Sequence, residues 1–246
     1  TTDSSPCIAS ASLAASTNCV CITFGVVLSF ASRSCWIWFF SASRREMYFA
    51  RGVDVMLPTS RVVEALKAFQ HEFPTVALRL HVEALGAVAQ LVLDRTAVLG
   101  VSGPLASGID GLERVAVGMV ELVPVARPDH PLAGAAGAAP GAARDHVQLV
   151  LTDRSTLTEG RDFAVVSTRT WRLADLGAKH ALLLAGLGWG NMPAPMVAHD
   201  LRLGRLVRLR LAAGAAEPYR FQAIYRTETP PGPAGAWLLA RLLDQA

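Results

Sequence analysis

From residue 52 onward, apolar positions follow two alternating periods, one near 3.6 and one of 2, which mark helices and strands in turn. Val53 to Leu57 reads as a short buried strand that ends at Pro58. Thr59 and Ser60 then offer N-cap hydroxyls to a helix carrying Val62, Val63, Leu66, Phe69 and Phe73 on one face, and Pro74 stops it. Val76 to Val82 alternates strictly, so Val76, Leu78, Leu80 and Val82 share one face of a strand. A second helix over about 84–94 presents Leu85, Val88, Leu91 and Val92, and a third strand over 97–101 breaks at Ser102-Gly103-Pro104. This βαβαβ order predicts a parallel sheet with right-handed crossovers.

The same pattern predicts a second α/β lobe. Leu112 to Ala126 reads as one or two strands leading out of the first, followed by a loop at residues 127–132 and a weakly specified Gly/Ala stretch at 133–143. Strands are expected at His146 to Leu151 and Phe163 to Ser167, and a helix from Trp171 to Ala185. Gly186 ends that helix, Gly188 and Gly190 permit a tight turn with close backbone approach, and Pro193 punctuates the next element. A short strand near 188–191, a helix over 194–201 and a strand from Leu206 to Leu211 complete the lobe. Tyr219 to Thr227 then forms a strand and Pro233 to Gln245 a helix, and both are expected to return to the first lobe. The expected division is residues 52–126 plus 216–246 for the first lobe and 127–215 for the second.

Composition changes the picture mainly at the N-terminus. The 246 residues are 52% hydrophobic and 17% charged, which describes a core-rich globular chain. A net charge of +3 is too small to indicate nucleic-acid binding. Residues 1–51 are different: rich in Ser, Cys, Phe and Trp, nearly free of charge, and without caps or periodicity. They are expected to be poorly ordered or loosely helical. Three origins stay open for them. A signal peptide lacks its basic n-region, a membrane anchor over 19–42 is interrupted by Arg33, and a shifted frame or truncated gene start is the third. The four cysteines, Cys7, Cys19, Cys21 and Cys35, all lie in this head and lack zinc spacing; free thiols in a cytoplasmic protein are the expectation.

Several passages resemble one family. Ala185-Gly186-Leu187-Gly188-Trp189-Gly190-Asn191-Met192-Pro193, followed by Leu203-Gly204-Arg205-Leu206-Val207, is similar to a glycine-proline passage in the effector-binding domain of LysR-type transcriptional regulators. Val53 to Ser60 looks like that domain's first strand and helix start, Leu66 to Val76 like its recurrent helix ending in Phe and Pro, and Leu122 to Leu132 like its lobe-to-lobe strand and the His-Pro-Leu after it. Four motifs in the right order over residues 52–246 make the resemblance specific. It implies an α/β fold of two Rossmann-like lobes, periplasmic-binding-protein-like (type 2), holding a small-molecule effector in the cleft and assembling as a homodimer or tetramer. The family places a winged helix-turn-helix before this domain, and residues 1–50 match none, so promoter DNA is a partner only through a helix-turn-helix not recognisable here.

Candidate ligand residues come from the rule that doubly wound sheets bind at the carboxyl ends of their strands. Thr59 and Ser60 combine hydroxyls with the free N–H groups of a helix start. Ser102 and Gly103 end the third strand. Asp153 and Arg154 come directly after a strand of the second lobe, where Arg154 can clamp a carboxylate in bidentate fashion. Asn191 can hydrogen-bond a ligand from the glycine turn. The set expected to bind effector is therefore Thr59, Ser60, Ser102, Gly103, Asp153, Arg154 and Asn191. No catalytic residue, cofactor or metal site is expected: the scattered histidines form no H-E-x-x-H, Gly100 to Pro104 is no nucleophile elbow, and Gly186 to Asn191 does not extend to G-x-G-x-x-G. Arg208 and Arg210 share one face of their strand opposite Val207, Leu209 and Leu211, which reads as a solvated face. The leading expectation is a LysR-type ligand-sensing domain that is not an enzyme; the alternative is an exported or membrane-tethered solute-binding protein.

Overall fold

A computed structural model describes residues 49–104, 108–134, 139–211 and 218–244. The chain divides into two compact units, Thr1–Arg45 and Glu46–Ala246, and all the strands and helices described belong to the second. The expectations for residues 1–48, including the anchor at 19–42 and the cysteines, lie outside the described residues. Phe49 to Arg51, which composition groups with the head, belong to the first strand.

The first sheet is five-stranded. Strand β1 (Phe49–Asp54) lies between β2 (Leu78–Glu83) and β3 (Leu99–Ser102), parallel to both, with helices α1 (Thr59–Glu72) and α2 (Ala87–Leu93) as the crossovers. Two later strands extend it: β4 (Leu112–Val120), and β10 (Tyr219–Arg226), which inserts antiparallel between β3 and β4. The spatial order is β2-β1-β3-β10-β4. The penultimate element of the chain therefore sits inside the opening sheet, and helix α5 (Pro233–Leu243) packs there too.

Packing explains why these segments hold their places. On one face Phe69 and Phe73 of α1 meet Trp237 of α5, with ring centroids 5.1 to 6.2 Å apart, within the range of favourable aromatic pairs. On the other face α2 lies close against the strands, because a Cβ at Gly100 would come within 2.9 Å of Val88 Cγ1. The apolar stripe of β2 behaves differently from its pattern. Leu80 and Val82 are 37% and 56% exposed, since β2 is an edge strand whose stripe lacks a covering layer among the described residues.

The second sheet begins earlier than the sequence pattern indicates. Strand β5 (Leu122–Ala126) pairs antiparallel with β8 (Gly190–Pro193) and β9 (Val207–Arg208), so the chain changes sheets at Glu121. Strands β6 (Gln148–Leu151) and β7 (Thr170–Leu173) run parallel and join this sheet through a bridge between Gln148 and Trp189. Helices α3 (Leu176–Leu184) and α4 (Ala194–Arg202) cover it.

The glycine turn builds that junction. Gly186, at φ +79°, closes α3 with Gly186 N–H donating to Leu183 O and Leu187 N–H to Leu182 O, the double bond of a left-handed helix end. At Gly188 a Cβ would lie 2.5 Å from the Val147 carbonyl oxygen. That close approach lets Trp189 N–H donate to Val147 O and Leu149 N–H to Trp189 O.

Three expected elements are corrected. The segment from Trp171 is not helical: it is β7, and α3 starts after Asp175, whose carboxylate accepts from Ala178 N–H as an N-cap. Phe163 to Ser167 is not a strand. The buried Gln148 amide organises it instead, donating to Ala164 O at 2.8 Å and accepting from Val166 and Ser167 N–H at 2.8 and 3.0 Å. The strand at 206–211 shortens to two residues, yet Arg208 and Arg210 are exposed and Leu209 is buried, as its alternation requires.

Replacing Gly188 by Ala places a methyl group against Val147 O from a backbone conformation that L-residues avoid. The expected loss is about 2–4 kcal/mol of unfolding free energy, read from denaturant titration. An unchanged midpoint would show that the β6–β8 junction tolerates a side chain.

Candidate functional site

The end of β1 is fixed by one buried carboxylate. Asp54 Oδ1 accepts from Met56 N–H at 2.9 Å, which folds the loop into α1. Its Oδ2 accepts from Gly103 N–H at 3.2 Å, just past β3, and from the Tyr219 hydroxyl at 2.8 Å, at the start of β10. Three strand ends are thereby gathered on one side chain that is only 1% exposed. Gly103 has no alternative, since a Cβ there would fall 2.0 Å from the Tyr219 hydroxyl. Ser102 beside it is wholly buried, with Oγ unbonded among the described residues.

Burial pushes the Asp54 carboxyl up to about 6 although all three donors favour the anion, and the charge of Asp153 adds to the rise. Burial and the adjacent Asp54 keep the Tyr219 hydroxyl protonated, far above its usual range.

Asp153 belongs to the second sheet's loop after β6. Its carboxylate accepts from Ser155 Oγ at 2.9 Å and from Thr158 Oγ1. This loop lies against the start of α2: a Cβ at Gly86 would meet Ser155 Oγ at 2.7 Å and Thr158 Cγ2 at 2.8 Å. Thr156 Oγ1 donates to Gln90 Oε1 at 3.2 Å. Two cavities flank the contact. One, of about 230 Å³, spans both sheets and is walled by Glu83, Ala84, Asp153, Arg154, Ala174 and Asp175. The other, of about 540 Å³, is formed by residues 152–156, 158–162 and Arg172.

Of the residues anticipated from sequence, Asp153 and Arg154 are brought together and line both cavities. Gly103 belongs to the Asp54 network of the first sheet, and Ser102 is buried beside it with its hydroxyl unbonded among the described residues. Thr59 and Ser60 are exposed and are not caps: Pro58 occupies the N-cap in extended conformation, so the two hydroxyl residues are the first of α1. The helix therefore starts one residue sooner than capping by the hydroxyls would place it. Asn191 is half-buried in β8, and its carbonyl oxygen accepts from Lys179 Nζ at 2.8 Å. Burial lowers that ammonium to about 8.

Asp54, Gly86, Tyr219, Thr158 and Lys179 were not anticipated. Asp54 carried one usable signal, a lone acid amid the apolar run Val53 to Leu57. Among the described residues, no cluster of three or more His, Cys, Asp or Glu is placed to hold a metal, and no helix is long and apolar enough to cross a membrane.

The family described as the LysR substrate binding domain matches residues 52–246, the stretch that carries both sheets and both cavities. The chain belongs to that family. Solved LysR regulatory domains share its fold. The domain of CcmR from Synechocystis PCC6803, in complex with 2-PG, is 17% identical with a TM-score of 0.66, covering 80% of this chain and 96% of that one. The domain of MetR from N. meningitidis is 17% identical with a TM-score of 0.62, covering 80% and 93%. A reduced form of OxyR from N. meningitidis is 12% identical with a TM-score of 0.62, covering 80% and 95%. A search of curated proteins finds no match. The LysR assignment makes the two sheets the lobes of a type 2 periplasmic-binding-protein-like fold and the chain a ligand-sensing domain of a transcriptional regulator. LysR-type regulators are not enzymes.

Because Asp54 binds its proton more tightly folded than unfolded, its protonation stabilises the fold. That contribution is complete below the usual carboxylate pKa and is lost as pH rises through about 6. Unfolding free energies of wild type and Asp54→Asn, compared between pH 4 and 7, should therefore shift in favour of the variant as pH rises. A constant difference would mean that Asp54 does not titrate in this range.

Proposed function

We propose that this LysR domain senses a small organic effector at the seam between its lobes and transmits occupancy to transcription. The observation that carries the reading is the cavity of about 230 Å³ in which Glu83 and Ala84 of the first lobe face Asp153, Arg154 and Asp175 of the second. A ligand there touches both lobes, so its binding energy depends on their spacing. Differential contact of this kind is what shifts a conformational equilibrium.

In this reading Asp153 and Arg154 are direct contacts, with Arg154 recognising an acidic group. Ser102 offers its unbonded hydroxyl, Gly103 its backbone and Asn191 its amide, while Thr59 and Ser60 supply exposed hydroxyls at the start of α1. The lobe division is taken as 52–126 plus 216–246 against 127–215, with the crossing drawn back to Glu121 by the pairing of β5.

The domain is proposed to act in the cytoplasm as a homodimer or larger homo-oligomer. The exposed apolar residues Val63 of α1 and Leu80 and Val82 of β2 support these elements as the contact surface. Promoter DNA is a partner only through a helix-turn-helix that is not recognisable in this sequence. The family match favours this regulator reading over an exported or membrane-tethered solute-binding protein, and genomic sequence upstream tests it: a helix-turn-helix in any frame supports the regulator.

Native mass spectrometry of the purified chain is expected to reveal a co-purifying metabolite that is lost in Arg154→Ala while the fold, read by circular dichroism, is kept. Equal retention in the variant would remove Arg154 from the site. Sedimentation at micromolar concentration should show a dimer that Val82→Lys weakens; a strict monomer would count against the LysR assembly.

A further inference from the structure

The larger cavity, of about 540 Å³, is walled by the second lobe alone and falls within the volume range of ordinary small-molecule sites. Its charges separate into satisfied and unsatisfied ones. Asp162 is held in two-pronged fashion by Arg172, whose Nε donates to Oδ1 at 3.2 Å and whose Nη2 donates to Oδ2. Arg161 stacks its guanidinium 5.2 Å from the centroid of the Phe163 ring. Asp153 is occupied by the hydroxyls of Ser155 and Thr158. Among the described residues, Arg161 has the ring alone, and Arg154 and Glu159 have neither an ion pair nor a ring contact. They are of opposite sign and line the same cavity, yet they pair neither with each other nor with any other described residue.

A singly charged ligand would meet one of these groups and leave the other unmatched. A molecule carrying both an ammonium and a carboxylate meets both. We propose that this cavity is a ligand site of its own for a small zwitterion of the α-amino-acid type. Its carboxylate is taken by Arg154, whose fork matches two oxygens, and its ammonium by Glu159. The hydroxyls of Thr152 and Thr156 give the walls a polar character suited to a short hydrophilic side chain. Arg154 also lines the seam cavity, so occupancy here draws on a residue that the effector reading uses as well.

The experiment titrates the full chain, labelled with nitrogen-15, with L-serine and two single-charge relatives: 3-hydroxypropionate, which lacks the ammonium, and ethanolamine, which lacks the carboxylate. Gly160 reports the larger cavity alone, and Glu83 and Ala84 report the seam alone. The expected result is a shift at Gly160 with serine at millimolar concentration and about tenfold weaker binding of each relative, the scale of one charge-assisted hydrogen bond. Glu159→Gln, an exposed substitution, should bring serine and 3-hydroxypropionate to equal affinity. Equal affinities in the wild type would identify a plain anion site and overturn the proposal, as would the absence of any shift. Shifts confined to Glu83 and Ala84 would also overturn it while leaving the seam reading intact.

Discussion

The burial of Asp54 is the constraint that sets the geometry of the first lobe. A carboxylate taken from water needs donors, and the fold supplies a backbone N–H from its own loop, another from Gly103 and a phenol from Tyr219. The partners lie 2, 49 and 165 residues away in the chain, so one side chain checks that β1, β3 and β10 have all reached their places. The donors do not fully offset burial, which is why the carboxyl still holds a proton more tightly than usual. Asp153, in the loop after β6, adds a smaller contribution in the same direction.

Contact between the lobes depends on what is missing. Gly86 leaves room for Ser155 and Thr158 to come against the start of α2, and Gly103 leaves room for the Tyr219 hydroxyl. Any larger side chain at either point forces the neighbouring atoms apart, because packed interiors have little spare volume. The Ser155 and Thr158 hydroxyls that fill the gap at Gly86 also donate to Asp153, so the seam is both tight and polar. A seam of this kind suits a LysR sensing domain. Behind it, buried apolar side chains of both sheets form one continuous cluster, from Val53 and Val101 to Val125 and Leu149.

The second lobe is assembled by a comparable economy of side chains. Gly188 lets the backbone of β6 meet that of Trp189, and the Gln148 amide holds residues 164–167 without a strand ladder. Lys179 is buried under Asn191, whose carbonyl oxygen accepts from its ammonium, and its lowered pKa reflects the cost of that position.

Sequence alone determined the elements whose cause is local. The 3.6-residue period carrying Phe69 and Phe73, the strict alternation at Leu78 to Val82 and the glycine helix end at Gly186 each depend on neighbours a few residues away, so each was legible. The motif order from Val53 to Val207 carried the LysR family in the same way, and Asp153 and Arg154, singled out by their place after a strand, line both cavities. Tertiary structure decided the rest. It made Trp171 a strand residue beside β6, left Leu80 and Val82 uncovered at a sheet edge, moved β5 into the second sheet and set Tyr219 against Asp54. Each of these depends on which distant backbone supplies the next hydrogen bond or covering layer, and that information is spread over the whole chain rather than written in any window of it.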